Sequence, residues 1–380
     1  MTGTRRAAGP ARRLLLVAAV VVGATALLSS CTSAVGGPAA TSEPRPHRSR
    51  AAAPRAPATG DGARQVPAVS LDPATLPTRP VEQALLAATL FDTEAGRRLL
   101  VVVDAATGEW VRPDVPEPVA QSVGVLPLLA PDGRSFVQTT WVTDHVEVEV
   151  VDLRTGSVRK VPVVLPDDCV VDSVAWAPDA QHLGVVTYCS TPNEYPTEPT
   201  GWVVVEEVAI GTGAFRLVEH VSDAVPVETY PSYSPDGKLF AYGIAHPSDS
   251  TDDDEVWASA RVVGTRGGVD THEWSMTHMV YGDPWRDAQT LLGWDENASV
   301  TGPDSHALLS VTGSKEQYGF DGATNLDGFV GGALVGEVPG LCPAALCTID
   351  LDTHAVAPWL TLPDGVLPGS ISPARALLGG

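Results

Sequence analysis

Two sets of side chains in this sequence have types and spacings that could do chemistry. The first is five cysteines: Cys31, Cys169, Cys189, Cys342 and Cys347. Cys169 and Cys189 are equally distant from Asp179, which sits in a Pro178-Asp179 turn. Antiparallel strands leaving that turn would set the two thiols face to face. Cys342 and Cys347 flank a four-residue loop and would also lie opposite each other. The reading is two structural disulfides, 169–189 and 342–347. Four thiols formally allow three pairings. A four-cysteine zinc site is the alternative, but the spacings do not match paired zinc knuckles. The second set is polar. His272, Glu273 and His278 lie near Trp274 and Asp283 and could line a site. Asp249-Ser250-Thr251-Asp252-Asp253-Asp254-Glu255 offers oxygen ligands that suit calcium, but without the spacing and glycine of an EF-hand loop. A solvated hairpin tip is the plainer account, and otherwise no cofactor is expected. No Gly-x-Ser-x-Gly elbow, His-Glu-x-x-His pair, phosphate-binding loop or dinucleotide fingerprint occurs.

The fifth cysteine belongs to an address. Arg5, Arg6, Arg12 and Arg13 precede an apolar run of fifteen residues, Leu14 to Leu28. That is short for a spanning helix, which needs about 20 apolar residues, and suits a signal-peptide core. Leu28-Ser29-Ser30-Cys31 then resembles the bacterial lipobox. The resemblance implies cleavage before Cys31 and a diacylglyceryl group on its sulfur, hence a lipid anchor on the extracytoplasmic face of the cell membrane. An ordinary secretory signal or an uncleaved anchor is the alternative. Residues 1–30 are therefore read as a lipoprotein signal peptide.

Residues 31–80 are read as a tether. Nine prolines fall within 32–80, with almost no large apolar residue before Val66. Such a stretch buries too little to offset its ordering entropy. Charge divides the chain in the same place. Residues 1–64 carry +7 and the rest −29, within a total of −22. Phosphate backbones require a basic footprint, so nucleic acid is not an expected partner.

The body, 81–380, repeats. Apolar stretches flank Pro131-Asp132-Gly133, Pro178-Asp179-Ala180 and Pro235-Asp236-Gly237. Proline presets the first turn position, aspartate bonds its own backbone, and glycine accepts positive φ. A second hairpin motif reads Val103-Asp104-Ala105-Ala106-Thr107-Gly108 and returns as Val151-Asp152-Leu153-Arg154-Thr155-Gly156. Between the turns, runs such as Val146-Glu147-Val148-Glu149-Val150 alternate as half-buried strands do. Two hairpins make a four-stranded unit of about 45–55 residues, the size of a β-propeller blade. Tyr233-Ser234-Pro235-Asp236-Gly237-Lys238 resembles the repeat signature of TolB-like, WD-repeat-like propellers. The resemblance implies an all-β propeller, and assigning the segments from residue 84 onward to blades gives a count of six, with five or seven blades as alternatives. Blade one lacks an inner strand of its own, so the segment Val366 to Leu378 is expected to supply it and close the ring.

Because TolB-like propellers tend to serve assembly or sensing roles, the resemblance implies a non-catalytic protein-binding or scaffold module with an envelope protein as partner. A small-molecule or glycan sensor, or a hydrolase or lyase using the central funnel, are the alternatives. The two long loops after the second strands of blades three and four share one propeller face with the links between blades. Glu194, Tyr195, Asp252 and Asp253 are the candidate contacts there. Trp176, Tyr233 and Trp294 are expected in the core between blades.

Overall fold

The Pro-Asp-Gly turns close hairpins as their chemistry requires. At the first, Gly133 N–H donates to the Ala130 carbonyl at 2.8 Å and Asp132 Oδ1 accepts from Arg134 N. Gly133 has φ +72°, and an added Cβ would meet the Ala84 carbonyl oxygen at 2.1 Å, so glycine is required twice over. The second motif behaves likewise: Asp152 Oδ1 accepts from the amides of Arg154 and Thr155.

The computed structural model describes residues 66, 68–116, 128–142, 145–166, 168–190, 201–227, 230–246, 257–266, 272–275, 277–280, 282–295, 306–318, 325–338, 340–342 and 345–378. All belong to the unit Pro54–Gly380. Two short strands come first, β1 (Val69–Ser70) and β2 (Thr78–Arg79). Blade one holds β3 (Ala84–Asp92), β4 (Arg97–Asp104) and β5 (Trp110–Pro113). Blade two holds β6 (Leu128–Leu129), β7 (Ser135–Val142), β8 (His145–Asp152) and β9 (Val158–Val161). Blade three holds β10 (Cys169–Trp176), β11 (His182–Ser190), β12 (Gly201–Ala209) and β13 (Phe215–Ser222). In blade four the inner strand is broken into β14 (Val225–Pro226) and β15 (Ser232–Tyr233), followed by β16 (Leu239–His246), β17 (Trp257–Gly264) and β18 (His272–Ser275). Blade five holds β19 (Thr277–Met279), β20 (Thr290–Asp295), β21 (His306–Ser310) and β22 (Lys315–Tyr318). Blade six holds β23 (Asn325–Val330), β24 (Ala333–Glu337), β25 (Ala345–Ile349) and β26 (Val356–Thr361). Last come β27 (Val366–Pro373) and a four-residue helix α1 (Arg375–Leu378).

The strands form six sheets. A buried apolar cluster fills the seam between each neighbouring pair, including blades six and one, where Leu86 and Val101 meet Leu346 and Leu360. That cyclic order makes the ring a six-bladed β-propeller. As expected, β27 pairs antiparallel with β3 as the innermost strand of blade one.

The boundary expected at residue 80 shifts. β1 pairs in parallel with β26, and β2 in parallel with β5. Leu71 is 2% exposed, and Val66, Val69 and Leu76 pack on the blade six–one cluster. The end of the stretch read as tether is part of the propeller. The composition argument failed there because proline is tolerated at a sheet edge and four apolar residues suffice to bind an extended strand to an existing seam.

Both cysteine pairs are bonded, Cys169 to Cys189 and Cys342 to Cys347. Near its turn, β10 pairs Trp176 with Leu183, a register that would carry Cys169 to Ser190. A bulge at Asp172 removes one residue from the count, and Cys169 meets Cys189. Cys347 faces Gly336 across β24, so its bond to Cys342 closes a loop rather than joining cross-strand partners.

Candidate functional site

In blade five the inner strand leaves its ladder. Met279 pairs with Gly293 and Trp285 bridges Leu291, so among the described residues Val280, Gly282, Asp283 and Pro284 stand opposite Leu292 alone. The excess chain bulges toward the propeller axis. There it meets blade six closely: a Cβ on Gly282 would lie 1.8 Å from the Asp327 carbonyl oxygen, and one on Gly328 2.2 Å from that of Asp283. Phe329 N–H also donates to the Asp283 carbonyl at 2.8 Å. The excursion brings Gly282 and Asp283 into the lining of a cavity that the inner strands of blades one to four also border.

The C-terminus meets it there. Ala374 N–H donates to Leu85 O in blade one, and Ala376 N–H to Pro131 O in blade two. From this position Arg375 reaches across the axis. Its Nε and Nη2 donate to the two Asp283 carboxylate oxygens. Nη1 donates to the Tyr233 carbonyl, and Nη2 also to Ser232 Oγ at 2.7 Å. One side chain thus joins the C-terminal closure to blades four and five. Burial raises the Asp283 carboxyl above its ordinary value, while the Arg375 guanidinium and the Trp285 amide pull it back.

That cavity measures about 210 Å³ and lies on the face of the Pro-Asp-Gly turns. Leu128, Trp176, Tyr230 and Ile371 line it, with Pro131, Pro178 and Pro235 from the turns themselves. Its named polar groups are engaged: Trp176 Nε1 donates to Leu128 O at 2.8 Å, and Ser372 Oγ accepts from Leu129 N at 2.8 Å. Deeper in the ring, Asp327 occupies a bulge in β23. The residue is partly exposed, but its Oδ2 is shut off from solvent and has no hydrogen-bond partner. Burial, then the Glu337 charge, push its carboxyl up to about 8.

The polar residues singled out in the sequence do not converge. His272 and Glu273 lie on β18 at the outer side of blade four, where Glu273 accepts from Arg261 at 2.5 Å and contacts His246 Nε2 at 3.1 Å. Trp274 is buried between blades four and five, and His278 packs at a tilt on Trp294. Asp283 alone of that set reaches the axis. Cys31, Glu194, Tyr195, Asp252 and Asp253 lie outside the described residues, as does the whole acidic run from Asp249 to Glu255. Among the described residues, no three His, Cys, Asp or Glu side chains are grouped to hold a metal. Sequence reasoning missed Arg375 because its partner lies 92 residues away with no shared motif. It also missed the polar seam between blades three and four, where Arg261 binds Glu219 at 2.7 Å and Tyr242 donates to the same carboxylate. Burial and then that carboxylate raise the Tyr242 phenol, which stays neutral.

No family model matches the chain, and no curated protein does. Solved structures do. Oligogalacturonate lyase from Vibrio parahaemolyticus is similar at 13% identity and a TM-score of 0.45, over 75% of this chain and 78% of that one. TolB from Acinetobacter baumannii is similar at 13% identity and 0.41, over 76% of this chain and 65% of that one. A chain of a nidogen/laminin complex is similar at 10% identity and 0.46, over 77% and 99%. No residue role is carried over from them.

Proposed function

We propose that this chain is a non-catalytic protein-binding propeller, held on the extracytoplasmic face of a bacterial cell membrane by lipid on Cys31. The axial cavity takes an apolar side chain from an envelope protein partner. The observation that carries this reading is the state of the cavity's polar groups. Arg375 has spent its guanidinium on Asp283, Ser232 and Tyr233, so it is not free to stabilise an anion. The Ser232 and Ser372 hydroxyls serve the frame, and no histidine is among the lining residues to activate either. The rest of the lining is chiefly proline, apolar and aromatic side chains, which suits binding.

Magnitude limits what the cavity does alone. Burying one Leu- or Phe-sized side chain contributes about 1.5–3 kcal/mol. Micromolar affinity requires about 8 kcal/mol. The cavity is therefore an anchor that sets specificity, and the surrounding turn face supplies the rest. With −29 on residues 65–380, a basic segment around the anchor residue is favoured.

The test uses the lipid-free mature chain and short basic peptides carrying one Leu, Phe or Trp, read by fluorescence polarisation. Binding should vanish in Ala376→Trp, which fills the cavity, and persist in Gly211→Ala, remote from it. Turnover of a polysaccharide or peptide substrate that Ala376→Trp abolishes would replace this reading with an enzymatic one. Labelled palmitate should mark the native chain and not Cys31→Ser.

A further inference from the structure

We propose that residues 66–81 are a rim clasp whose release and the opening of the ring at blades six and one are a single event. β27 closes blade one from the axis; the clasp closes the same region from the outside. This inference holds whether or not the axial cavity takes a partner.

The clasp touches three consecutive blades. On blade six, β1 lies parallel to β26, Leu71 N–H donates to the Thr361 carbonyl at 2.8 Å, and Trp359 Nε1 donates to the Val66 carbonyl at 3.1 Å. On blade one, the amides of Arg112 and Asp114 donate to the carbonyls of Pro77 and Arg79. Arg79 Nη1 also pairs with the buried carboxylate of Asp104 at 2.5 Å. On blade two, Val81 N–H donates to the Leu153 carbonyl at 3.2 Å, and both residues are fully buried.

Neither two-residue strand would persist alone. Their stability comes from the seam. Leu71 is buried in the cluster that Leu86, Val101, Leu346 and Trp359 share, and Val66, Val69 and Leu76 pack on its margin. The clasp therefore has its apolar anchor inside the very seam it spans. Blades six and one cannot part without exposing Leu71, and Leu71 cannot leave without opening a hole in that seam. The two processes share one set of contacts, so they share one free energy. Chain entering from upstream meets this element before any blade.

Hydrogen exchange on the full chain tests this. In the native protein, the amides of Leu71, Arg112 and Asp114 should exchange as slowly as those of β3 and β4. Leu71→Ala should accelerate exchange in β1, β26 and β5 by about tenfold or more while β16 and β17 of blade four keep their rates. Arg79→Gln, a milder change at a partly exposed residue, should shift the same amides in the same direction by less. Three results would overturn the proposal: unprotected Leu71, Arg112 and Asp114 amides in the native chain, no change in blades six and one on substitution, or equal acceleration in all six blades.

Discussion

Arg375 makes four hydrogen bonds to blades four and five, and its energetics follow from what it leaves behind when removed. The Asp283 side chain is 8% exposed, and its carboxylate accepts from Arg375 and from the Trp285 amide. Arg375→Met strands that carboxylate, and stranding a buried charge costs about 3–5 kcal/mol. Arg375→Met combined with Asp283→Leu removes the charge together with its partner, and should recover much of that loss in urea unfolding. If the double variant is no better than the single one, the arginine's bonds to Tyr233 and Ser232 matter more than the ion pair. Asp327 carries the opposite problem, a carboxyl with an unpartnered oxygen. Its value rises from 3.8 in the unfolded chain to about 8 in the fold. The unfolded chain loses that proton first as pH rises. Stability from this group is whole below 3.8, declines up to about 8, and is level above. His306 works the other way: burial pushes it down to about 4 from 6.5, so its contribution is whole above 6.5 and lost as pH falls through that window. Asp327→Asn should therefore flatten the alkaline side of the stability profile. With partial exposure discounting the full shift, the gain at pH 7 should be on the order of 1–2 kcal/mol. Unfolding midpoints from pH 5 to 9 check it; an unchanged slope above pH 6 would refute it.

Regular strands were legible in this sequence, and departures from regularity were not. The alternating run Val146–Val150 lies within β8, and the Pro131 and Asp152 turn motifs fall just before β7 and just after β8, because period and turn chemistry are local signals. The disulfide between Cys169 and Cys189 was legible only by a cancellation of effects. The turn centre lies half a residue from Asp179, and the bulge at Asp172 restores the facing register. Blade five hid its inner strand because Gly282, Asp283 and Pro284 leave the ladder, and the sequence Tyr281-Gly282-Asp283-Pro284 carries no alternation. That excursion depends on a glycine. An alanine Cβ at Gly282 would strike the backbone carbonyl of Asp327, which cannot swing aside as a side chain can. Gly282→Ala should cost about 2 kcal/mol or more, in the range of overpacked cores. Gly211→Ala meets nothing within 4 Å and should be within about 0.5 kcal/mol of the native chain. Equal effects at the two sites would mean that blade five yields, and that the backbone approach of Gly282 to Asp327 is easily relieved.

At the scale of the molecule, six apolar seams hold a ring that carries a large charge of one sign. The propeller was readable because every blade repeats the same local code, whereas the rim clasp breaks that code and was read as tether from its prolines. Charge was readable too, but its consequence depends on the fold. With −29 on residues 65–380, carboxylates brought together on a closed ring repel one another more than in the expanded chain. Salt screens that repulsion: the Debye length falls from about 30 Å at 0.01 M to about 8 Å at 0.15 M. The attractive pairs respond unequally. Exposed ones such as Lys160–Glu147 and Lys238–Asp236 lose strength with salt, but each contributes little at the surface. The buried pairs Arg375–Asp283 and Lys315–Asp295 are screened much less. Repulsion among surface carboxylates therefore dominates the salt response. The thermal midpoint at pH 7 should rise between 0.01 and 0.15 M sodium chloride and then level off as screening saturates. The same rise with sodium chloride and with tetramethylammonium chloride would assign it to screening alone. A midpoint that falls with salt would mean that attraction between unlike charges outweighs the excess of carboxylates.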